Sequence, residues 1–267
     1  MKDITAIIPN LLDQIRTRRP VVHAITNWVT GGDVANALQA LGARPVLAVS
    51  SEEAAEITAQ ADALLLNLGT PDPDRIEAML RSGRRANELG KPVVFDPVGA
   101  GASIFREEAC RRILAELRIM VIRGNRAEIG FLAGRGGQLR GIDAVAGPED
   151  MAEAVQVLSR QTGAVIVASG EKDLLAYGDI FLTWGNGHPL MTRVTGTGCM
   201  LSAVIAAFTA AGEDPLTAAA TGLTCFKLAG RVAGRHANGP GTFKAGLLDR
   251  LYTLTPEDLR GSLELES

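Results

Sequence analysis

The chain has 267 residues, of which 46% are hydrophobic, 21% are charged and 30 are glycine, and its net charge is −3. This apolar content excludes an intrinsically disordered chain, which cannot bury enough surface to offset its chain entropy. The slightly acidic balance and the 4% of aromatic residues argue against a nucleic-acid partner, whose recognition needs basic patches or stacking rings.

The apolar runs and the cysteines bear on where the protein works. The longest apolar run, residues 200–211, is interrupted by Ser202 and Thr209 and is well short of the roughly 20 residues of a membrane span. The first 15 residues carry charges and lack the apolar segment of a signal peptide. The three cysteines show neither CxxC nor zinc-ligand spacing. We therefore expect a cytoplasmic protein with no membrane partner.

Strands and helices are predicted to alternate along the chain. Apolar residues at helical spacing over 4–15 predict a first helix that ends near Pro20. Short apolar runs predict buried strands at 21–25, 45–49, 63–68, 92–95, 119–122 and 164–168. Helical patterns between them predict helices at 33–41, from an N-cap at Ser51 onward, and at 74–89, 107–117, 127–132 and 148–160. The glycine-rich stretch 134–147 is interpreted as a loop.

The last part of the chain changes character. Residues 174–177 and 180–184, separated by Gly178 and Asp179, predict a β-hairpin. Three more helical segments follow, at 199–211, 215–233 and 244–254. Strands alternating with helices favour an α/β fold with a mostly parallel sheet covered by helices on both faces. No repeat or long linker is present, so we expect a single domain over 1–267, with ligands beyond the carboxyl ends of the strands.

Two of these strand ends carry acidic or basic residues beside glycine. Asp96 ends a predicted strand and precedes the stretch 97–102, which contains two glycines. Arg123 leaves another strand, and Asn125 and Glu128 follow three residues apart at the start of a helix. Their oxygens suit water or Mg²⁺. The alternatives are a turn-capping Asp96 and an Asn-x-x-Glu capping box, which on its own residues is the favoured interpretation of the second motif.

The third strand-end motif is the loop of residues 194–200, Val-Thr-Gly-Thr-Gly-Cys-Met. Its glycines free backbone amides to point at one spot, and the following helix adds its positive end, so the loop can bind a phosphoryl group in transfer. The same dipole predicts a lowered pKa for the thiol of Cys199, although free cysteines are more often buried small hydrophobes. No GxxxxGK[ST] or GxGxxG motif accompanies it, which disfavours P-loop and Rossmann enzymes.

Taken together in chain order, these motifs resemble the hydroxyethylthiazole kinases of thiamine biosynthesis, within the ribokinase-like superfamily. The matching stretches span nearly the whole chain: 22–30, 67–70, 96–102, 122–129 and 194–199. The resemblance implies a ribokinase-like three-layer sandwich. It also implies transfer of the γ-phosphate of ATP to 4-methyl-5-(2-hydroxyethyl)thiazole, with Mg²⁺, in a homotrimer with active sites between subunits.

The resemblance also implies roles for individual residues. Mg²⁺ is expected at Asp96 and Glu128, and ATP at Arg123, Asn125 and Ser169. The last of these stands where the family often has Thr. The anion hole and the catalytic group are expected at Thr197, Gly198 and Cys199, because the family has Cys where most of the superfamily has a catalytic Asp. The thiazole is expected at Asn27, Gly196 and Leu47, which takes the place of the family's usual Met.

Two other functions remain open at this stage. One is an ATP- or ADP-dependent dehydratase of hydrated nicotinamide nucleotides, which shares the ribokinase-like fold but would require Asp at the position of Cys199. The other is a non-catalytic nucleotide or thiazole sensor. Such a sensor could lose its Mg²⁺ residues, yet Asp96, Arg123 and Glu128 are all present.

Overall fold

The computed structural model describes residues 4–140, 143–148, 150–185, 187–212 and 214–264. Its strands are β1 (Val21–Ile25), β2 (Arg44–Val46), β3 (Ala63–Asn67), β4 (Val93–Asp96), β5 (Val121–Asn125), β6 (Gln138–Arg140), β7 (Asp143–Ala146), β8 (Val165–Ser169), β9 (Asp173–Tyr177) and β10 (Ile180–Trp184). Eight of them form one sheet in the order β10-β9-β8-β5-β4-β3-β1-β2. Neighbours from β8 to β2 pair in parallel, whereas β9 and β10 pair antiparallel, which confirms the predicted hairpin.

Helices cover both faces of this sheet. They are α1 (Ile4–Arg18), α2 (Gly31–Leu41), α3 (Ala54–Gln60), α4 (Pro73–Glu88), α5 (Ile104–Glu116), α6 (Arg126–Leu132), α7 (Met151–Thr162), α8 (Thr197–Thr209), α9 (Pro215–His236), α10 (Pro240–Thr253) and α11 (Pro256–Glu264), with a 3-10 helix at Pro189–Arg193. Among the described residues, no helix has the length and apolar character needed to span a membrane.

The alternation of side chains along each strand divides the core into two layers. Val94 packs in one apolar cluster with residues of α1, α2, α8 and α9. The next residue, Phe95, packs in the other with residues of α4, α5 and α7. Because successive strand residues point to opposite faces, one strand serves both layers. The result is the predicted α/β three-layer sandwich.

Strand register places polar residues from distant parts of the chain side by side. Asn67 pairs in register with Asp96 at the ends of β3 and β4, and Asn125 pairs with Ser169 at the ends of β5 and β8. Parallel strands point the same way, so all four ends meet at one edge of the sheet, as expected for an open α/β sheet.

Several predicted boundaries were wrong, each for a local reason. Ser51 does not cap a helix: α3 begins three residues later, at Ala54, and the Ser51 hydroxyl donates to Asp74 instead. Residues 134–147 contain the antiparallel strand pair β6 and β7, and these short strands carry little apolar signal. Asp150 rather than Pro148 starts α7, because its side chain accepts the amide of Glu153 at 2.9 Å.

Candidate active site

Asp96 lies at the centre of the polar edge and is fully buried. Its Oδ2 accepts hydrogen bonds of 2.8 Å from Asn67 Nδ2 and from the Ser202 hydroxyl on α8, and Arg123 Nη1 lies 3.7 Å away. Its Oδ1 is buried without a hydrogen-bond partner. Burial raises the pKa of this carboxyl, while Arg123, Ser202 and Asn67 oppose the rise. A buried carboxylate with one free oxygen is suited to binding a cation.

Arg123 connects this carboxylate to the next strand. Its Nη2 donates to the Ser169 hydroxyl at 2.5 Å, and its Nε is buried without a partner. The guanidinium also lies against the glycine loop, since a Cβ on Gly198 would stand 2.5 Å from Nη1. Glycine at 198 therefore allows the guanidinium of Arg123 to approach the start of α8, where an anion would also meet free helix amides.

Glu128 and Asn125 form the capping box that their local spacing in the sequence predicted. The Asn125 side chain accepts the Glu128 amide at 2.9 Å, and Glu128 Oε2 accepts the Asn125 amide at 2.7 Å. The other carboxylate oxygen, Oε1, accepts the Gly99 amide at 2.9 Å. Burial raises the pKa of Glu128, the charge of Asp96 raises it further, and these amides oppose the rise. Glu128, in the first turn of α6, thus ties the loop after β4 to the end of β5.

The glycine loop has the sharp turn that its sequence indicates. Gly196 has φ +91° and is the N-cap of α8. A Cβ there would stand 2.6 Å from Thr30 Cγ2, so the loop packs closely on the end of the β1–α2 connection. The Thr197 hydroxyl donates to the Met191 carbonyl at 2.8 Å. Its side chain therefore holds the loop, and its backbone amide stays at the open start of the helix.

This packing predicts a large effect of adding one methyl group. We expect Gly196→Ala to lower the free energy of unfolding by more than the about 1–2 kcal/mol of a left-handed backbone, because the new Cβ also collides with Thr30. Gly163→Ala is the matched control: Gly163 also has a positive φ, of +68°, but nothing lies within 4 Å of its Cβ position. Urea unfolding of both variants measures the difference. Equal losses would show that the contact with Thr30 costs nothing.

Cys199 lies beside Asn27, which connects it to Asp96. Asn27 Nδ2 donates to Asn67 Oδ1 at 2.8 Å and to Cys199 Sγ at 3.5 Å. Asn27 Oδ1 accepts the amides of Val29 and Thr30. The predicted lowering of the Cys199 pKa was wrong. Burial raises the pKa of this thiol, and the nearby Asp96 charge raises it further. Together these two effects outweigh the lowering of the pKa expected from the dipole of one helix.

A cavity of about 790 Å³ opens at the same edge of the sheet. Five of the sequence-predicted residues line it: Arg123, Asn125, Ser169, Thr197 and Gly198. Its other walls come from the loop after β8, the 3-10 helix and α9. A pocket of this size suits a nucleotide-sized ligand, and the arginine and the helix start lie where an anionic group would be held.

The predicted thiazole contacts Asn27, Gly196 and Leu47 are not among the residues that line this cavity. Leu47 is 38% exposed and lies next to Gly31, whose Cβ position is 3.4 Å from it. Trp28 and Val29 are also exposed. The guanidinium of Arg75 lies over the Trp28 ring, with Cζ 4.4 Å from the centroid of the ring. Leu47, Trp28 and Val29 therefore present exposed apolar side chains to solvent.

Sequence reasoning missed three residues that organise the site. Ser202, which donates to Asp96, is a polar residue within the apolar run of α8. Arg106 donates to the carbonyls of Leu68, Gly69 and Val98, which joins the loops after β3 and β4. Lys227 lines the cavity and is the only charged residue between 215 and 230. A polar or charged side chain within an apolar helical run is the signal that could have identified Ser202 and Lys227.

Comparison with known proteins points to one family. A model of the hydroxyethylthiazole kinase family matches residues 12–257. The chain is 48% identical over 257 residues to a hydroxyethylthiazole kinase of Desulforudis audaxviator, covering 96% of this chain and 94% of that one. It is also 48% identical over 253 residues to one of Chloroflexus aggregans, covering 95% and 91%.

Solved structures show the same relationship. A hydroxyethylthiazole kinase structure from Pyrococcus horikoshii superposes with a TM-score of 0.87 at 38% identity, covering 96% of each chain. A ribokinase-like superfamily protein from Enterococcus faecalis superposes with a TM-score of 0.64 at 17% identity, covering 93% of this chain and 95% of that one. The second match shows the fold alone.

Proposed function

The chain belongs to the hydroxyethylthiazole kinase family and is an enzyme, a kinase, and from this premise we propose its reaction. It transfers the γ-phosphate of ATP to the hydroxyl of 4-methyl-5-(2-hydroxyethyl)thiazole, with Mg²⁺, and supplies the thiazole phosphate for thiamine biosynthesis. One observation carries the proposal: the fully buried Asp96, Arg123 and the glycine loop meet at one sheet edge, beside a cavity of nucleotide size.

ATP occupies the cavity in this proposal. Arg123 binds its phosphates, and Ser169 and Asn125 contact the nucleotide at the ends of their strands. The backbone amides of Thr197, Gly198 and Cys199 form the anion hole, because the first amides of a helix have no partner within it. Donors placed in advance stabilise the charge that spreads over the phosphoryl oxygens during transfer.

The carboxylates fit Mg²⁺. Asp96 Oδ1 lacks a partner, and Glu128, the second carboxylate, would act directly or through water. Among the described residues, no three His, Cys, Asp or Glu side chains cluster to hold a metal alone. Mg²⁺ commonly binds one or two carboxylates together with phosphates and water. When bound, it would neutralise charge on the phosphates.

In this proposal, the thiazole alcohol lies beside the glycine loop, near the exposed side chain of Leu47. Asn27, Gly196 and Leu47 contact it, and its hydroxyl lies near Cys199 Sγ. Asn27 is held by hydrogen bonds to the amides of Val29 and Thr30, which orients its amide group. Cys199 is the proposed base, which accepts the hydroxyl proton as the thiolate.

We propose a homotrimer as the working form, with active sites between subunits. Trp28 and Val29 are 73% and 66% exposed next to the proposed thiazole contacts, and a neighbouring subunit would cover them and close the site. The described cysteines Cys110, Cys199 and Cys225 are all free thiols, which supports a place in the reducing cytoplasm.

The direct test is turnover. The purified protein, given the thiazole alcohol and MgATP, should form thiazole phosphate and ADP, detected by phosphorus NMR. Excess EDTA should abolish turnover, and added Mg²⁺ should restore it. No product at millimolar substrate from a folded protein would contradict the proposal. Tight binding of both ligands without turnover would support the sensor instead.

A further inference from the structure

A buried ion pair forms part of the cavity wall. Lys227 on α9 lines the cavity and is 9% exposed. Its Nζ lies 2.8 Å from Oδ2 of Asp173, the first residue of β9, which is fully buried. Desolvating two charges costs about as much as their attraction returns, so an apolar pair would stabilise the fold as well. Fold stability therefore does not explain why two charged residues occupy these positions, whereas a role in ligand binding at the cavity would.

Asp173 holds the loop that follows β8. Its Oδ1 accepts the Gly170 amide at 2.9 Å, and Lys227 Nζ approaches the Gly170 carbonyl at 3.5 Å. Gly170 directly follows Ser169, which accepts a hydrogen bond from Arg123. The ion pair therefore binds the residue next to Ser169, a proposed nucleotide contact that is itself bonded to Arg123.

The charge of Asp173 also reaches Arg123. Burial raises the pKa of Asp173, and both Lys227 and the more distant Arg123 oppose the rise. The other charged side chains that line the cavity are Arg126 and Glu171. Asp173 does not line the cavity itself, so without Lys227 it would be an uncompensated negative charge buried behind the cavity wall, close enough to act on Arg123.

We propose that Lys227 is a positioning residue of the nucleotide site that neutralises Asp173, so that Asp173 can hold the Ser169–Gly170 turn without repelling the phosphates of the nucleotide. The inference rests on the proposed function only in taking a nucleotide as the occupant of the cavity. Lys227 acts through Asp173 and not by touching the reacting atoms.

The test is a double-mutant cycle on MgADP binding, measured by calorimetry at pH 8.5, which favours the ionised form of the carboxyl. Lys227→Met should weaken binding about tenfold, the size expected for one uncompensated charge near a polyphosphate. Asp173→Asn retains Oδ1 as the acceptor for Gly170, and this variant should bind MgADP at least as tightly as the parent. The double variant should return to within about twofold of the parent.

Lys172→Met is the matched control, since it removes the same charge from an exposed residue of the same loop. It should leave MgADP binding unchanged. A double variant as weak as Lys227→Met would overturn the inference, as would parental binding by Lys227→Met alone. If Lys227→Met does not fold, weaker MgADP binding by Asp173→Asn alone would overturn it.

Activity separates this inference from the proposed function. KM for ATP should follow the binding constants, whereas KM for the thiazole alcohol should stay constant. If the parent forms no thiazole phosphate but the MgADP cycle behaves as expected, the proposed reaction is wrong and the role of Lys227 stands.

Discussion

Asp96→Asn is expected to lower kcat by about 10²–10³-fold, the size of effect seen when one preorganised charge-stabilising group is lost. The substitution keeps the shape of the side chain and one oxygen for Ser202 and Asn67, but it removes the negative charge. The buried Oδ1 that has no partner is the atom most affected. Steady-state kinetics with MgATP and the thiazole alcohol measure the loss.

The same substitution should leave the protein at least as stable. Burial raises the pKa of Asp96 above its ordinary value. A raised carboxyl pKa means that the fold loses stability as pH rises from the ordinary pKa through the raised one, so ionisation of this buried carboxyl opposes folding. Asparagine removes that cost, and the Tm should hold or rise. Asp179→Asn, at a side chain 94% exposed, is the control and should change neither property. A fall in Tm with Asp96→Asn would mean that the carboxylate stabilises the fold.

Cys199→Ala is expected to lower kcat by about 10²-fold, within the range of general base catalysis. Cys199→Asp should retain activity and match or exceed the parent at pH 7. The reason is the raised pKa of the thiol: little thiolate exists at pH 7, whereas the ordinary pKa of an aspartate lies well below that of a cysteine, so more of the base form is present. An unchanged kcat in Cys199→Ala would make the cysteine a packing residue and leave catalysis to the anion hole.

The pH dependence of kcat tests the same assignment independently. If thiolate is the base, kcat of the parent should rise about tenfold per pH unit between pH 7 and pH 9, because the thiol titrates above its ordinary pKa. Cys199→Asp should show a flat profile over that range. A flat profile in the parent would exclude the thiolate as base.

Local pattern predicted most of the fold. Apolar runs located the central parallel strands and the hairpin β9–β10, because burial on both faces leaves a continuous apolar signal. The prediction failed where that signal is weak, as for the short strands β6 and β7. It also failed where two residues could each begin a helix, as at Pro148 and Asp150. The pairing of Asn125 with Glu128 was visible in the sequence because a capping box has a fixed local spacing.

The sequence by itself determined which residues end the strands, and the direction of parallel strands then brings those ends to one edge. Only the tertiary structure decided the electrostatics of that edge. Asp96, Ser202 and Arg123 meet from three elements, and their desolvation depends on everything packed around them. For this reason the pKa of Cys199 rises where the helix start alone predicts a fall, and the ion pair between Lys227 and Asp173, 54 positions apart in the chain, has no local signature.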